Sequence, residues 1–231
     1  NLGAVIVSRD ESEVSKAHAR ILESTNCNEA TVFRGGHSQT DRLMAAVANG
    51  IAGNGAQLDP GYRKAQCHAG LYIVPALLAE AETFGLTMGE ILRATVLSFE
   101  IMTRFPRTWP MGTSKFYPAA VFCSIGAAAA VGLARQLPAD ELYKTLGAAS
   151  TLIQVGPFRH SVEGVLVCNT WPASGAWNGM MAVEWTKMGF GGTAESPYQV
   201  FTEALGFKPH PSQLTNNLGN EWSIDFSFHK A

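Results

Sequence analysis

Two stretches of this sequence carry almost no side-chain volume, and they constrain the fold more than any other feature. GAAAAVGLA (126–134) and AAVANGIAGNGA (45–56) consist mostly of alanine and glycine. Helices with such faces can approach one another closely, so both stretches are predicted to lie at the centre of a multi-helix bundle. The first belongs to an uncharged run from Phe116 to Leu133. Its small residues, without flanking aromatic anchors, indicate a buried core helix and not a membrane span.

Helical periodicity dominates the rest of the chain. Thr87 and Glu90 match a capping box, in which a threonine side chain and a glutamate three residues later satisfy free backbone N–H groups. Two short segments are predicted as strands, AVIVS (4–8) and WSIDFSF (222–228), and the second alternates apolar and polar residues. The predicted helices cover residues 11–25, 41–53, 71–84, 86–105, 118–136, 138–154 and 173–188.

The turn-rich stretch HPSQLTNNLGN, which precedes the second strand, is predicted to be a domain boundary. Residues 1–205 are therefore predicted to form one all-α domain. Residues 206–231 are predicted to be a linker and the start of a second, incomplete α/β domain. Because the chain begins with Asn-Leu-Gly and not with Met, we expect it to be part of a longer protein.

The composition argues against several function classes. Hydrophobic residues make up 46% of the chain and charged residues 16%, against roughly 25% charged residues in typical soluble domains. The surplus of apolar surface predicts a buried oligomer interface. The net charge of −2 and the absence of a basic stripe argue against nucleic acid and against an anionic membrane as partners. The four cysteines show no metal-ligand spacing, so we expect reduced thiols in a cytoplasmic protein without a metal.

Polar and reactive side chains concentrate in QLDPGYRKAQCHAG (57–70), a predicted loop between two apolar helices. An aspartate close to a histidine can hold the imidazole in one tautomer and increase its basicity, as a general base requires. Taken singly, Asp59 also suits the capping of a turn, and His68 also suits a buried structural role. The polar residues of this loop are Asp59, Tyr62, Arg63, Lys64, Gln66, Cys67 and His68.

The order of motifs resembles the N-terminal domain of the MmgE/PrpD family. The similarity runs through AVANGIAGNGAQLDPGYRKAQCHAGLYIVPALLAEAE, LRATVLSFEIMTRF, FYPAAVFCSIGAAAAVGLARQLPADELYKTLGAAST and EGVLVCNTWPASGAWNGMMAVEWTKMGFGG, and it ends with LGNEWSIDFSFHKA. Members include 2-methylcitrate dehydratase, cis-aconitate decarboxylase and iminodisuccinate epimerase. The resemblance implies a homodimer without metal or organic cofactor, and a lid-like second domain that begins near the end of this chain.

The resemblance also implies an active site for small carboxylic acids. Asp59 and His68 match the family's loop aspartate and histidine, which would serve as acid/base groups. Lys230 matches the lysine of the second domain and would contact a carboxylate. Arg63, whose planar guanidinium can bind a carboxylate through two parallel hydrogen bonds, and Tyr62 are predicted to bind the substrate.

Two positions depart from the family pattern. Tyr117, in FYPAAVF, stands where family members carry a histidine before Pro-Thr-Ala. It can donate a hydrogen bond to an oxyanion, or it can pack as an ordinary aromatic residue. Cys168, in EGVLVCNTW, stands where they carry a lysine after Glu-Gly, so a positive charge for a carboxylate is lost. Cys168 can act as an acid/base group if its pKa is lowered. Because no neighbour in sequence is cationic, it is also interpreted as a plain buried thiol.

Three functions are consistent with these residues. The first is a cofactor-independent lyase, a dehydratase or decarboxylase of a citrate-like or alkyl-substituted polycarboxylic acid. The second is an isomerase, epimerase or cyclase with a less anionic substrate, whose pocket Trp109, Trp171 and Trp177 would help to line. The third is a non-catalytic or truncated relative that serves as a dimeric scaffold. Few cations around Asp59 and His68 would favour the second function over the first.

Overall fold

The computed structural model describes residues 1–36, 38–112 and 115–229. The helices in these ranges are α1 (Leu2–Ser8), α2 (Ser12–Ser24), α3 (Arg42–Gly55), α4 (Ala69–Phe84), α5 (Met88–Thr108), α6 (Pro118–Ala134), α7 (Ala139–Thr151), α8 (Phe158–Val162), α9 (Thr170–Lys187) and α10 (Ser196–Tyr198). Short 3₁₀ segments cover Leu166–Asn169, Pro211–Leu214 and Ser223–Phe226, and a π-helical segment, Gln199–Ala204, follows α10. Two antiparallel pairs join β1 (Ala30–Thr31) to β2 (Gln39–Thr40) and β3 (Gly61–Tyr62) to β4 (Ser227–Phe228). The predicted all-α class is confirmed.

Helices α3, α4, α6 and α9 form a central bundle with α6 in its middle. Every residue of α6 except Leu133 is buried. The contacts are close because glycines face the neighbouring helices. A Cβ atom on Gly175 of α9 would lie 2.1 Å from Cβ of Cys123 on α6, and one on Gly126 of α6 would lie 2.6 Å from Cβ of Tyr72 on α4. The prediction that the stretches rich in alanine and glycine lie at the centre is confirmed.

A network of charged side chains joins the four central helices at one end of the bundle. Arg42, at the start of α3, lies 3.5 Å from Glu80 of α4 and 2.6 Å from Glu184 of α9. Arg135, directly after α6, contacts both glutamates, and the ring of Phe84 covers both guanidinium groups. Because Glu80 and Glu184 lie late in their helices, α4, α6 and α9 share one direction and α3 is antiparallel to them. The N-termini of α4, α6 and α9 therefore meet at the opposite end.

The beginning of the chain differs from the prediction. Residues 4–8 belong to helix α1, so the predicted strand AVIVS is wrong. Ala4, Val5 and Ser8 share one face of this helix and are buried, and α1 packs against α3. Ser8 Oγ also donates a hydrogen bond to the carbonyl of Ala4 at 3.0 Å. Packing against α3 therefore outweighs the strand preference of the β-branched residues.

The segment after residue 206 lies along α5 and the 57–70 loop. Arg104 of α5 is buried, and its Nη1 donates to three backbone carbonyl groups between residues 213 and 216 at 2.9 to 3.1 Å. Glu100, which is paired with Arg104, accepts a hydrogen bond from the backbone N–H of Ser223 at 2.7 Å. Within the predicted strand 222–228, the extended part is β4, and it pairs with β3 of the loop.

The boundaries of the longer helices agree with the sequence to within a few residues. The capping box is present, since Thr87 Oγ1 accepts from the N–H of Glu90 and Glu90 Oε2 accepts from the N–H of Thr87. Asp41 caps α3 by accepting from the N–H of Met44 at 3.0 Å. Helices α8 and α10 were not predicted. None of the described helices combines the length and the apolar character that a membrane crossing requires.

The close contact between α6 and α9 gives the first testable prediction. Gly175→Ala is expected to lower the free energy of unfolding by about 1–3 kcal/mol, because the new methyl group would lie 2.1 Å from Cβ of Cys123. Gly89→Ala in α5 is the matched control, since its Cβ would meet nothing nearer than Thr87 Oγ1 at 4.0 Å. At this exposed helical position, alanine should be neutral or stabilising by up to about 1 kcal/mol. Urea denaturation measures both variants, and equal stability would contradict the close contact.

Candidate active site

A cleft of about 730 Å³ opens at the end of the bundle where α4 and α6 begin. The loop residues 61–68 form one wall. Tyr117 and Pro118, at the start of α6, form another, and Phe158 of α8 and Phe228 of β4 complete the described lining. Pairing of β3 with β4 holds the loop wall, because the N–H and C=O groups of its backbone bond to a second strand. The polar loop singled out in the sequence is thus the floor and side of this cleft.

His68 and Asp59 come together beside the cleft. Nδ1 of His68 lies 2.7 Å from Oδ2 of Asp59. The Asp59 side chain is 1% exposed and the His68 side chain is 18% exposed, so the carboxylate lies behind the imidazole. His68 lines the cleft, whereas Asp59 is not among its described lining residues. A buried carboxylate this close to one ring nitrogen can hold the imidazole in one orientation and one tautomer.

Tyr117 packs against the face of His68. The two rings are nearly parallel, with centroids 6.4 Å apart and planes inclined by 15°. On its other sides the Tyr117 ring meets Trp171 at 5.4 Å and Phe158 at 5.8 Å. The residue directly precedes α6, and its backbone N–H donates to the carbonyl of Gly156 at 2.8 Å. The structure therefore places the Tyr117 phenol next to the His68 imidazole.

The Tyr117 hydroxyl is a proton donor at neutral pH. Burial raises the pKa of Tyr117, and the negative charge of Asp59 raises it further. A hydrogen bond with the Ser161 side chain acts in the opposite direction, but the net shift remains upward. The phenol therefore keeps its proton to a higher pH than a free tyrosine does.

Three helix N-termini meet near this cleft. His68 directly precedes α4, Tyr117 directly precedes α6, and Cys168 lies in the 3₁₀ segment that leads into α9. The first N–H groups of a helix lack partners within the helix, and the peptide dipoles add about half a positive charge at that end. The α4, α6 and α9 helices each exceed fifteen residues, so their dipoles are well developed. The N-termini of α4 and α6, which border the cleft, are therefore suited to a negatively charged ligand, whereas the Thr170 N–H at the start of α9 already donates to the carbonyls of Val167 and Cys168.

The structure does not bring Cys168 to the cleft. Cys168 lines a separate hollow of about 160 Å³, here called the Cys168 hollow, together with His160 and Ser161. Its backbone carbonyl accepts a hydrogen bond from Asn54 Nδ2 at 3.3 Å. Burial raises the pKa of the Cys168 thiol, so the group stays protonated at neutral pH and lacks the reactivity of a thiolate. The geometry is that of a buried thiol next to the site.

The two predicted binding residues, Tyr62 and Arg63, both line the cleft. Tyr62 is buried within the β3–β4 pair. Arg63 is exposed, and its guanidinium lies over the ring of Phe228 at 5.2 Å. Lys64 also lines the cleft, but its ammonium group is paired with Glu221. The positive charge of Arg63 is therefore held at the cleft by an aromatic ring.

Other predicted site residues lie elsewhere. Lys230 falls outside the described residues. Trp171 packs behind Tyr117, as stated above. Trp177 instead packs edge-on against Trp185 at 5.9 Å, and Trp109 lines a different, apolar hollow. None of these three tryptophans is among the described lining of the cleft, so the prediction that Trp109, Trp171 and Trp177 help to line the pocket is wrong.

Three residues of the site were not predicted from the sequence. Phe158 and Phe228 line the cleft, and Ser161, which lines the Cys168 hollow, acts to lower the pKa of Tyr117. The alternation in WSIDFSF was the available signal for Phe228, but it did not identify the partner strand. Phe158 and Ser161 lie in a segment without clear periodicity, so no pattern indicated them.

Comparison with known proteins agrees with this architecture. A family model for the MmgE/PrpD N-terminal domain matches residues 1–213. The matched range contains Asp59, His68, Tyr117 and the helices α4 and α6 whose N-termini border the cleft. No curated protein matches the chain. Because the family match covers most of its 231 residues, the chain belongs to the MmgE/PrpD family.

Proposed function

We propose that this protein is a cofactor-independent lyase that removes water or carbon dioxide from a small polycarboxylic acid. MmgE/PrpD is generally a family of enzymes, among them dehydratases. The observation that carries the proposal is the His68 imidazole, which lies against buried Asp59 in a cleft beside the N-termini of α4 and α6. Each component of this site has a role in lyase chemistry.

His68 is the proposed general base. The proton next to a carboxylate is weakly acidic, and its removal requires an oriented base near the working pH. Because Nδ1 of His68 faces Asp59, Nε2 is the atom that would accept the proton from carbon. Asp59 stabilises the resulting imidazolium without touching the substrate, so it acts as a positioning residue.

The negative charge that develops on the substrate requires cationic or N–H groups close by. Loss of the proton places this charge on the carboxylate as an enediolate. The helix N-termini and the Arg63 guanidinium are the proposed stabilising groups. Tyr117 is the proposed acid: as the carbon–oxygen bond breaks, its hydroxyl protonates the departing hydroxide. The phenolate then regains a proton from solvent, and the His68 imidazolium releases its proton to solvent. In decarboxylation, the same hydroxyl would protonate the carbanion left by carbon dioxide.

A second candidate function is an epimerase or isomerase with a less anionic substrate. The aromatic rings of Tyr117, Phe158 and Phe228 line the cleft, and Glu221 offsets the charge of Lys64. Such a cleft favours a substrate with fewer carboxylates than citrate. In this reaction the proton removed by His68 is returned to the same carbon and no group leaves.

We include a homodimer in the proposal. Exposed apolar side chains concentrate between residues 155 and 167, beside the cleft: Val155 is 66% exposed, Val162 is 73% exposed and Leu166 is 56% exposed. Exposed apolar surface of this kind is typical of protein contact sites. Pairing with a second copy would cover it.

The base assignment can be tested by hydrogen exchange at carbon. His68→Asn is expected to lower the rate of deuterium incorporation from D₂O into citrate-like acids by about a hundredfold or more, because the proton acceptor is lost. Nuclear magnetic resonance measures the incorporation in the intact protein. His160→Asn is the matched control, since His160 lines the Cys168 hollow and should leave the rate unchanged. Deuterium uptake without release of water or carbon dioxide would favour the epimerase, and full activity of His68→Asn would contradict both functions.

The acid assignment can be tested at Tyr117. Tyr117→Phe keeps the ring against His68 but removes the hydroxyl, so kcat should fall about a hundredfold with little change in KM. Tyr143→Phe, at an exposed tyrosine of α7, should leave kcat unchanged. Because the pKa of Tyr117 is raised, its phenolate absorbance in the unaltered protein should develop only above about pH 10. Tyr117→Phe should remove this absorbance. Unchanged kcat, or ionisation of this phenol below that pH, would show that the assignment is wrong.

A further inference from the structure

A second large hollow lies directly beside the cleft and shares the loop residues 64–66 with it. Its volume is about 570 Å³. The end of α5, with Pro106 and Arg107, forms the opposite wall, and the segment that contains His210 and Gln213 forms a third. It is called the Arg107 hollow below. None of the roles assigned above to the cleft uses its residues at the end of α5 or in the 210–213 segment.

Hydrogen-bond donors dominate the polar lining of the Arg107 hollow. Nε and Nη2 of Arg107 donate to Oε1 of Gln213 at 3.2 and 2.8 Å. A guanidinium carries five N–H bonds, so three remain for another acceptor. Because Oε1 of Gln213 is turned toward Arg107, the NH₂ group of the same amide points away from the guanidinium. Gln66 supplies a further amide to the lining.

The charge of the Arg107 hollow is positive. Its described lining contains the cationic residues Lys64 and Arg107 and no acidic residue. Glu221 offsets the charge of Lys64, whereas the amide to which Arg107 bonds is neutral. The Arg107 charge is therefore balanced by no carboxylate of the described lining. A planar guanidinium with free N–H groups matches the geometry of a carboxylate or a phosphate.

The walls of the Arg107 hollow are held in place before any ligand binds. The backbone N–H of His210 donates to the carbonyl of Thr108 at 2.7 Å, and the N–H of Gln213 donates to the carbonyl of His210 at 3.0 Å. The bonds from Arg104 to carbonyl groups between residues 213 and 216 fix the same segment to α5. A preformed set of donors lowers the entropic cost of binding.

We propose that the Arg107 hollow is a second anion-binding site, which takes an oxyanion group of a small molecule through Arg107, His210 and the Gln213 amide. Two sources of this group have the same chemistry. One is a separate phosphate-bearing ligand, and the other is the far carboxylate of a long polycarboxylic acid whose reacting end lies in the cleft. The site itself does not depend on the reaction proposed for His68.

Titration with inorganic phosphate at constant ionic strength tests the site. Saturable chemical-shift changes at the Arg107 side-chain N–H groups are expected. Arg107→Met should weaken phosphate binding tenfold or more, because charge-assisted hydrogen bonds are lost. The phosphate affinity of Arg107→Lys should lie between those of the unaltered protein and Arg107→Met. His210→Gln, at an exposed residue, should weaken binding without a change in folding. Arg159→Met is the matched control, since the side chain of this arginine on α8 is 83% exposed and paired with Glu163, directly after the helix.

A parallel titration with citrate distinguishes the two sources. Tight phosphate binding that His68→Asn leaves unchanged supports a separate phosphate-bearing ligand. The second source, the far carboxylate of a ligand whose reacting end lies in the cleft, is supported by a different result. Phosphate then binds weakly, and both Arg107→Met and His68→Asn lower the affinity for citrate. The proposal is overturned if neither anion binds saturably, or if Arg107→Met and Arg159→Met bind both anions alike. Loss of the His68 reaction would leave the phosphate result unchanged, so the two proposals fail separately.

Discussion

The close contact of α6 with α4 and α9 is the constraint on which the rest of the structure depends. Where Gly126 and Gly175 face their neighbours, the gap between helices is too small for a methyl group. Helices at this distance bring their ends close together as well. The N-termini of α4, α6 and α9, with His68, Tyr117 and Cys168 beside them, therefore converge on a small region. The site is a consequence of packing with very small residues.

The charge network at the opposite end fixes how far each helix extends along the bundle. Glu80 is almost fully buried, and its contacts with Arg42 and Arg135 hold α3, α4 and the end of α6 in register. A buried ion pair adds little net stability, because removing charges from water is costly. We expect the network instead to exclude other alignments of these helices, whose alanine-rich surfaces would allow them to slide along one another. A shift of one helix by a single turn, about 5.4 Å, would separate the site residues at the far end.

The sequence was sufficient for the parts of the fold that local chemistry determines. The capping box at Thr87 and the central position of α6 follow from residue type and spacing alone, and Asp59 and His68 share one short loop. Features that join distant segments could not be predicted. The strand pair that brings Phe228 to the cleft joins residues 61–62 to residues 227–228, and the helical form of α1 depends on its packing against α3. The placement of Cys168 outside the cleft likewise depends on tertiary packing.

The central claim is that buried Asp59 orients the His68 ring so that Nε2 is the reactive nitrogen. Long-range proton–nitrogen correlation spectra of ¹⁵N-labelled protein report which ring nitrogen carries the proton in the neutral imidazole. The account predicts the Nδ1–H tautomer for His68, with this preference lost in Asp59→Ala. A neutral His68 ring that carries its proton on Nε2, or one whose tautomer is unchanged by Asp59→Ala, would contradict it.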